Sequence, residues 1–385
     1  MNNRLKWLDG LKALACIGVF LHHFFLAFFP GIYMGKDAIA HMTDKFEYTI
    51  GQLPFSAFFC GEYMVGLFCL ISGLVISYKI ISIKERSSVS SFLLKRYPKL
   101  VLPLFAVSFI VYVMLQFSLF TNVEVSSLTG SDWLGSYYQN KETFYDLLNS
   151  SFISVWFIMD NRFSNAFWMM KYLLIGSALS TLLAEMSWDK GKKMYLVYAV
   201  ALLFSFQQNS MYSLFILGSA LSFYMCSEKK FYFPKPVSVF FLVFGIILGG
   251  YPTYATTEGF YEFFPKLPAI YNTHLFYHTL AAFFTVLSVY QLDLIKKGLE
   301  SKPLLILAKN SYSFFLLHIP ILFSFSTWLF RELFAFLGHY VVTAFIVLLA
   351  SFLCILGCSI LFHYFVEKNC YKFVDWAIKK LNAPL

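Results

Sequence analysis

The sequence predicts an all-α polytopic membrane protein of about ten transmembrane helices, with both termini cytoplasmic and residues 1–385 forming a single transmembrane domain. Three observations predict it. Of 385 residues, 59% are hydrophobic, 21% aromatic and only 13% charged, about half the charge a soluble domain carries. Several apolar runs reach or approach the roughly 20 residues that span a bilayer. The Lys and Arg residues fall in short clusters between those runs, which is the distribution that orients a membrane protein.

The net charge of +9 belongs to those clusters. No long basic stripe with interleaved aromatics is present, so no nucleic-acid partner is expected. Membrane lipids are the expected surroundings. Seven cysteines make an odd count. Cys16, Cys69, Cys354 and Cys358 lie inside apolar runs and no CxxC occurs, which suits small packing residues rather than a zinc site. The run from Ala13 to Phe29 is too long for a signal-peptide core and no A-x-A-like site follows it, so it reads as a retained first span.

Helices are expected at about 10–29, 55–81, 98–120, 165–186, 193–208, 211–227, 236–254, 274–293, 303–330 and 335–366. The fifth is short and ends in Gln207 and Gln208. Basic excess marks the N-terminus (Arg4, Lys6, Lys12), 82–99 (Lys84, Arg86, Lys95, Arg96, Lys99), 189–193, 228–235 (Lys229, Lys230, Lys235), 296–302 and the tail. The 121–164 and 255–273 loops lack it. Basic and non-basic segments therefore alternate with every helix. Both 189–193 and 228–235 are basic, so the chain crosses an even number of times between them, with Gln207–Ser210 at the outer tip. A barrel would show strand-like alternation, and none is visible. The long extracytoplasmic 121–164 loop holds Trp133, Tyr137, Tyr138, Trp156 and Phe157, which suits a packed cap.

Ionisable residues within spans are costly and therefore functional candidates. They are His22, His23, Glu62, Lys171, His274, His278, His318, His339 and His363, with Lys12 near a helix end. Lys12 and His23 are eleven residues apart, about 20° past three full turns and roughly 16 Å along the axis. They share a face, with the cation near the cytoplasmic surface and the imidazole deep. That suits a ligand with an anionic head and a reactive far end. An inside-flank lysine and a packed histidine would give the same spacing. Arg96 and Lys99 at the start of the third span could hold phosphates or serve as ordinary anchors. Ser311-Tyr312-Ser313 through His318-Ile319-Pro320 places three hydroxyls and an imidazole within about two turns, beside a carbonyl that Pro320 leaves unbonded. These groups either line a polar cavity or join helices. His274 and His278 share a face but have no evident third ligand, so no metal is expected. Gly245 and Gly249 are a lone GxxxG. No P-loop, GxSxG or HExxH occurs.

Several of these segments, in this order, resemble the acyltransferase-3 family of bacterial integral membrane O-acyltransferases. Arg4-Leu5-Lys6-Trp7-Leu8-Asp9-Gly10-Leu11-Lys12-Ala13-Leu14-Ala15 resembles the opening R-x-x-x-L-D-G-L-R-A-x-A. The family follows its last Arg with ten residues and a His, as Lys12 is followed by His23 here; Lys keeps the charge and loses the bidentate fork. Leu67-Phe68-Cys69-Leu70-Ile71-Ser72-Gly73 resembles F-F-x-x-S-G. Arg96-Tyr97-Pro98-Lys99 stands where the family has R-x-x-R. The Ser311–Pro320 segment resembles S-Y-S-x-Y-L-x-H-x-P, and Val366-Glu367-Lys368 resembles V-E-R/K. Asn165 to Ser177 resembles N-x-x-W-T-M-x-x-E-L-x-G-S, except that Leu173 stands at the Glu position and Lys171 is added.

The resemblance implies an acyl-CoA co-substrate, acetyl-CoA first among the candidates, on the cytoplasmic side of the cell membrane. It implies a hydroxyl of a cell-surface or lipid-linked glycan as acceptor. Lys12, Arg96 and Lys99 would hold the CoA phosphates. His23 would be the general base, or would carry the acyl group itself. His318, with Tyr312 and Ser313, would polarise the thioester or orient the acceptor, and Trp168 and Lys171 would contact the acceptor. Two other classes fit parts of the sequence: a flippase for a lipid-linked sugar, and an assembly subunit that docks through the 121–164 loop. The sequence lacks the paired interrupted helices typical of secondary transporters.

Overall fold

The computed structural model describes residues 5–36, 38–83, 86–228 and 232–381. Arg4 of the opening motif, and Lys84, Lys229 and Lys230 of the basic clusters, lie outside them. Among the described residues every regular element is helical. That follows from the solvent: in hydrocarbon each backbone N–H and C=O must be satisfied within its own segment.

Each of the ten expected helical regions contains helix. Six helices are long and apolar enough to cross a membrane: Lys6–Phe28, Gly61–Ile83, Val89–Gln116, Asn165–Trp188, Ser311–Leu337 and Tyr340–Lys380. Thr273–Gln291 with Asp293–Leu299 makes a seventh if the pair, bent by 101°, is one span. The helices Met194–Gln207, Tyr212–Cys226 and Lys235–Gly249 have 14, 15 and 15 residues. At 1.5 Å per residue they reach about 21–23 Å, short of the roughly 30 Å hydrocarbon core. Length and composition thus support six or seven spans among the described residues rather than ten. Charge alternation counts reversals of the chain and is blind to helix length.

The chain divides into two compact units. The first comprises 1–19, 52–94 and 172–308, the second 20–51, 95–171 and 309–385. In the first unit small residues let helix backbones meet, the packing mode available where lipid removes the hydrophobic drive. A Cβ added at Gly218 would sit 2.1 Å from the Leu70 carbonyl oxygen, and one at Gly73 2.5 Å from that of Phe215. Ser77 bonds Ser219 across the same contact at 2.8 Å. Gly10, within the opening motif, meets the Leu299 carbonyl, where a Cβ would lie 1.9 Å away. The Gly245/Gly249 pair is a packing surface as well, against Thr285 and the Tyr63 ring.

The second unit is built on aromatic contacts. Phe24 and Phe28 pack at 4.6 Å, Phe28 and Phe330 at 5.0 Å, and Phe330 and Tyr340 at 5.1 Å between ring centroids. The 30–51 segment is held by the buried Glu47, which accepts the backbone N–H groups of His41 and Met42. Burial pushes the Glu47 carboxyl up from its ordinary value, against the pull of those N–H groups.

The 121–164 loop is an ordered cap within the second unit. It contains the helices Asn122–Thr129, Asp132–Gly135 and Phe144–Asn149. Ser131 caps the second of them, accepting from the Leu134 N–H, and donates its own proton to the Leu26 carbonyl of the first helix at 2.7 Å.

The close approach at Gly10 gives a paired test. Gly10→Ala should destabilise the protein by about 1–3 kcal/mol, the usual range for overpacking. Gly298, where an added Cβ would meet nothing within 4 Å, should tolerate alanine with no loss. Equal thermal melts for the two variants in detergent would contradict the close contact.

Candidate functional site

The second unit joins residues far apart in sequence around two imidazoles. His23 lies in the last third of the Lys6–Phe28 helix, and His318 in the Ser311–Ile321 helix. Both are buried. His318 Nε2 lies 3.2 Å from His23 Nδ1, and His318 Nδ1 lies 2.7 Å from the Phe315 carbonyl oxygen.

These partners fix the tautomers. A carbonyl can only accept, so His318 Nδ1 carries a proton. At 1% exposure a second proton on His318 would bury a charge, which is costly. His318 Nε2 is therefore an acceptor and His23 Nδ1–H its donor. A neutral His23 then keeps its basic lone pair on Nε2. Such a pair can act as a base whose second nitrogen is held in place.

The cap supplies the wall of this site. Trp133 stacks on His23 at 5.5 Å and 23°. Trp133 in turn meets Phe323 edge-on at 5.1 Å, and Tyr137 and Tyr138 pack on the same Phe323. Phe323 lies in a π-helical turn, Leu322–Ser326, directly after Ile321 and close behind Pro320. Pro320 has no N–H to give the preceding turn, and the next residues repair the ladder in a wider register. Its own carbonyl is taken by the Ser324 hydroxyl at 2.6 Å.

Tyr312 and Ser313 serve other partners. The Tyr312 hydroxyl donates to the Leu100 carbonyl at 2.7 Å. Ser313 donates to Glu367, which also takes His363 Nδ1 at 3.0 Å. The hydroxyls expected beside His318 thus point elsewhere, because five and six residues on a helix turn about 140° and 240° away. The Ser313–Glu367 bond does join two of the motif fragments, S-Y-S and V-E-K.

The cations are divided. Lys12 belongs to the first unit, half-buried with Nζ 5.8 Å above the Phe68 ring. Arg96 and Lys99 belong to the second, on the Arg86–Gln116 helix. Lys99 and Lys95 converge on Asp375 at 2.9 and 3.1 Å, and Tyr371 lies under Lys99. Trp168 closes a 3-10 turn, Asn165–Trp168, and Lys171 lies in the first turn of the helix that follows; both are half-buried. Leu173 is buried core.

The cap is closed at its far side by Arg162, whose guanidinium pairs with Asp146 at 2.8 Å, Asp160 at 3.0 Å and Glu142 at 3.2 Å. The Thr143 hydroxyl and N–H, ahead of Arg162, hold the Asp146 carboxyl below its ordinary value.

In the first unit the structure corrects the reading that His274 and His278 lack a third ligand. Glu62 Oε2 lies 2.6 Å from His274 Nδ1 and 2.9 Å from His278 Nδ1. All three stand out in the sequence as ionisable groups within apolar runs, but Glu62 is 212 residues from His274, and nothing local in the sequence links them. Trp133 is visible in the sequence only as one aromatic among several in the loop.

A family model described as an acyltransferase domain matches residues 5–363, nearly the whole chain. No curated protein and no solved structure matches it.

Arg162→Ala leaves three carboxylates facing one another. We expect faster proteolytic cleavage within 141–162, with an effect of about 1 kcal/mol because the pairs are partly exposed and screened. The wild-type clasp includes Asp146, whose lowered value means that its share is present above the ordinary carboxyl pKa and lost as pH falls through the lowered one. Equal cleavage rates for wild type and variant at neutral pH would contradict the clasp.

Proposed function

Because the chain belongs to the acyltransferase-3 family, we propose that this multi-pass membrane acyltransferase moves an acyl group, acetyl first, from acyl-CoA to a hydroxyl of a cell-surface or lipid-linked glycan, with His23 as general base. The observation that carries this reading is the 3.2 Å bond between His23 and His318, with the latter anchored on a backbone carbonyl.

In the proposed reaction the acceptor hydroxyl gives its proton to His23 Nε2 as its oxygen attacks the thioester carbonyl. The carbon–sulfur bond then breaks, and the leaving thiolate takes the proton back from His23. During this exchange His23 is an imidazolium, and its Nδ1–H points at the His318 lone pair. That bond strengthens as charge develops, which favours the transition state over the ground state. His318 acts through His23 and is a positioning residue, while Trp133 restricts the tilt of the His23 ring. Arg96 and Lys99 would bind the CoA phosphates on the face that the charge pattern assigns to the cytoplasm, with donor phosphate displacing Asp375 from Lys99. Lys12, in the first unit, remains by itself a proposed contact for an anionic group. Trp168 and Lys171 remain proposed acceptor contacts.

His23→Ala should lose about 10²–10⁴-fold in acyl transfer, the usual contribution of a general base, at unchanged membrane abundance. His318→Gln should lower kcat and alter the pH profile while leaving KM near wild type. Retention of at least half the wild-type rate by His23→Ala would remove it from the mechanism. Mass spectrometry of surface glycans with and without the gene would identify the acyl group and its acceptor.

For the donor site, Lys99→Ala should raise KM for acyl-CoA and Asp375→Asn should lower it, since the second releases Lys99 from its competing carboxylate. Steady-state kinetics in which neither variant changes KM would place the phosphates elsewhere.

A further inference from the structure

The first unit carries a cluster that the acyl-transfer reading does not use. We propose that Glu62, His274 and His278 bind a divalent transition-metal ion, Zn²⁺ being the type their donor set suits best, and that the ion ties two helices together.

Glu62 is in the first turn of the Gly61–Ile83 helix, and His274 and His278 are in the first two turns of Thr273–Gln291. At positions i and i+4 the two histidines share one face, the spacing by which one helix presents two ring nitrogens to a metal. One donor atom from each of the three residues lies within 4.8 Å of the other two. A tetrahedral ion at about 2.0–2.1 Å from each donor spaces its ligands about 3.3 Å apart. The gaps of 2.6 and 2.9 Å would widen by about half an ångström to admit it, within the freedom of three side-chain torsions.

The surroundings suit such a centre. His278 Nε2 lies 2.9 Å from the Tyr251 carbonyl oxygen, so it must be the protonated nitrogen in that bond. This leaves Nδ1 as the ligand atom, and a ligating histidine characteristically donates its other N–H to a carbonyl in this way. Thr253 donates to Glu62 Oε2 at 3.4 Å. The cluster is closed on one side and open on the other: the His278 side chain is 1% exposed, against 31% for His274 and 18% for Glu62. Three protein donors and an accessible side leave a fourth position for water, the coordination that Zn²⁺ adopts at His₂Glu sites. Without a metal, the same three atoms can stay together only by placing ring protons on the carboxylate. Calcium and magnesium are disfavoured, because they take oxygen donors.

The test uses full-length protein in detergent, stripped with a chelator and titrated with Co²⁺, whose visible d–d absorption reports tetrahedral nitrogen and oxygen ligation. One equivalent should bind. His274→Ala, chosen because that side chain is partly exposed and its loss should not block folding, should weaken binding at least tenfold. Glu62→Gln should do likewise while keeping the shape. Added Zn²⁺ should displace Co²⁺ and raise Tm in wild type, with no rise in His274→Ala. Cys60, whose Sγ is 3.5 Å from His278 Nε2, is replaced by Ser in a parallel sample, and the d–d bands should survive. The proposal is overturned if stripped wild type binds no Co²⁺, or if binding is unchanged in the Glu62→Gln/His274→Ala double variant. Neither result bears on acyl transfer by His23, which is assayed separately.

Discussion

Two buried imidazoles that face each other at hydrogen-bond distance can share only one proton between the facing nitrogens. In the second unit that constraint is resolved by a backbone carbonyl. Phe315 commits His318 Nδ1 to donate, His318 Nε2 must then accept, and His23 is left basic at Nε2. A serine hydrolase orients its histidine with a carboxylate. Here a neutral ring does so, at a depth where a carboxylate would be expensive to bury. Trp133 stacks on the His23 ring and packs in turn on Phe323 of the π-helical turn that follows Pro320.

The cap and the helices beneath it therefore form one structure rather than a core with a loop attached. Ser131 docks on the Leu26 carbonyl, Trp133 reaches the His23 ring, and Arg162 draws three acidic side chains together. Each is a short-range contact between cap residues or between the cap and its own unit. A cap of this kind gives a helical bundle a wall of aromatic rings, which in the proposed reaction would exclude water from the thioester and offer flat faces to the acceptor.

Much of this is legible in the sequence, and the rest is hidden for definable reasons. The helices are visible because apolar runs between basic clusters leave little else in lipid. His23 and His318 stand out because a titratable group in a span is costly. Their contact is not visible, since 295 residues separate them and no local pattern encodes a tertiary hydrogen bond. Met194–Gln207, Tyr212–Cys226 and Lys235–Gly249 are shorter than the expected spans, because charge alternation says nothing about length. Tyr312 and Ser313 group with His318 by proximity in sequence, although their helical angles already separate them. Gly10 and Gly73, which read as parts of motifs, prove to be places where one backbone touches another.

The central claim is the tautomer of His23, and ¹⁵N NMR of histidine-labelled protein measures it directly, with the two rings assigned by their loss in His23→Gln and His318→Gln. At neutral pH both rings should be neutral with the proton on Nδ1, and His23 Nε2 should show the shift of an unprotonated ring nitrogen. A proton on His23 Nε2 in the resting protein would contradict the account, because the nitrogen assigned to take the acceptor's proton would already hold one.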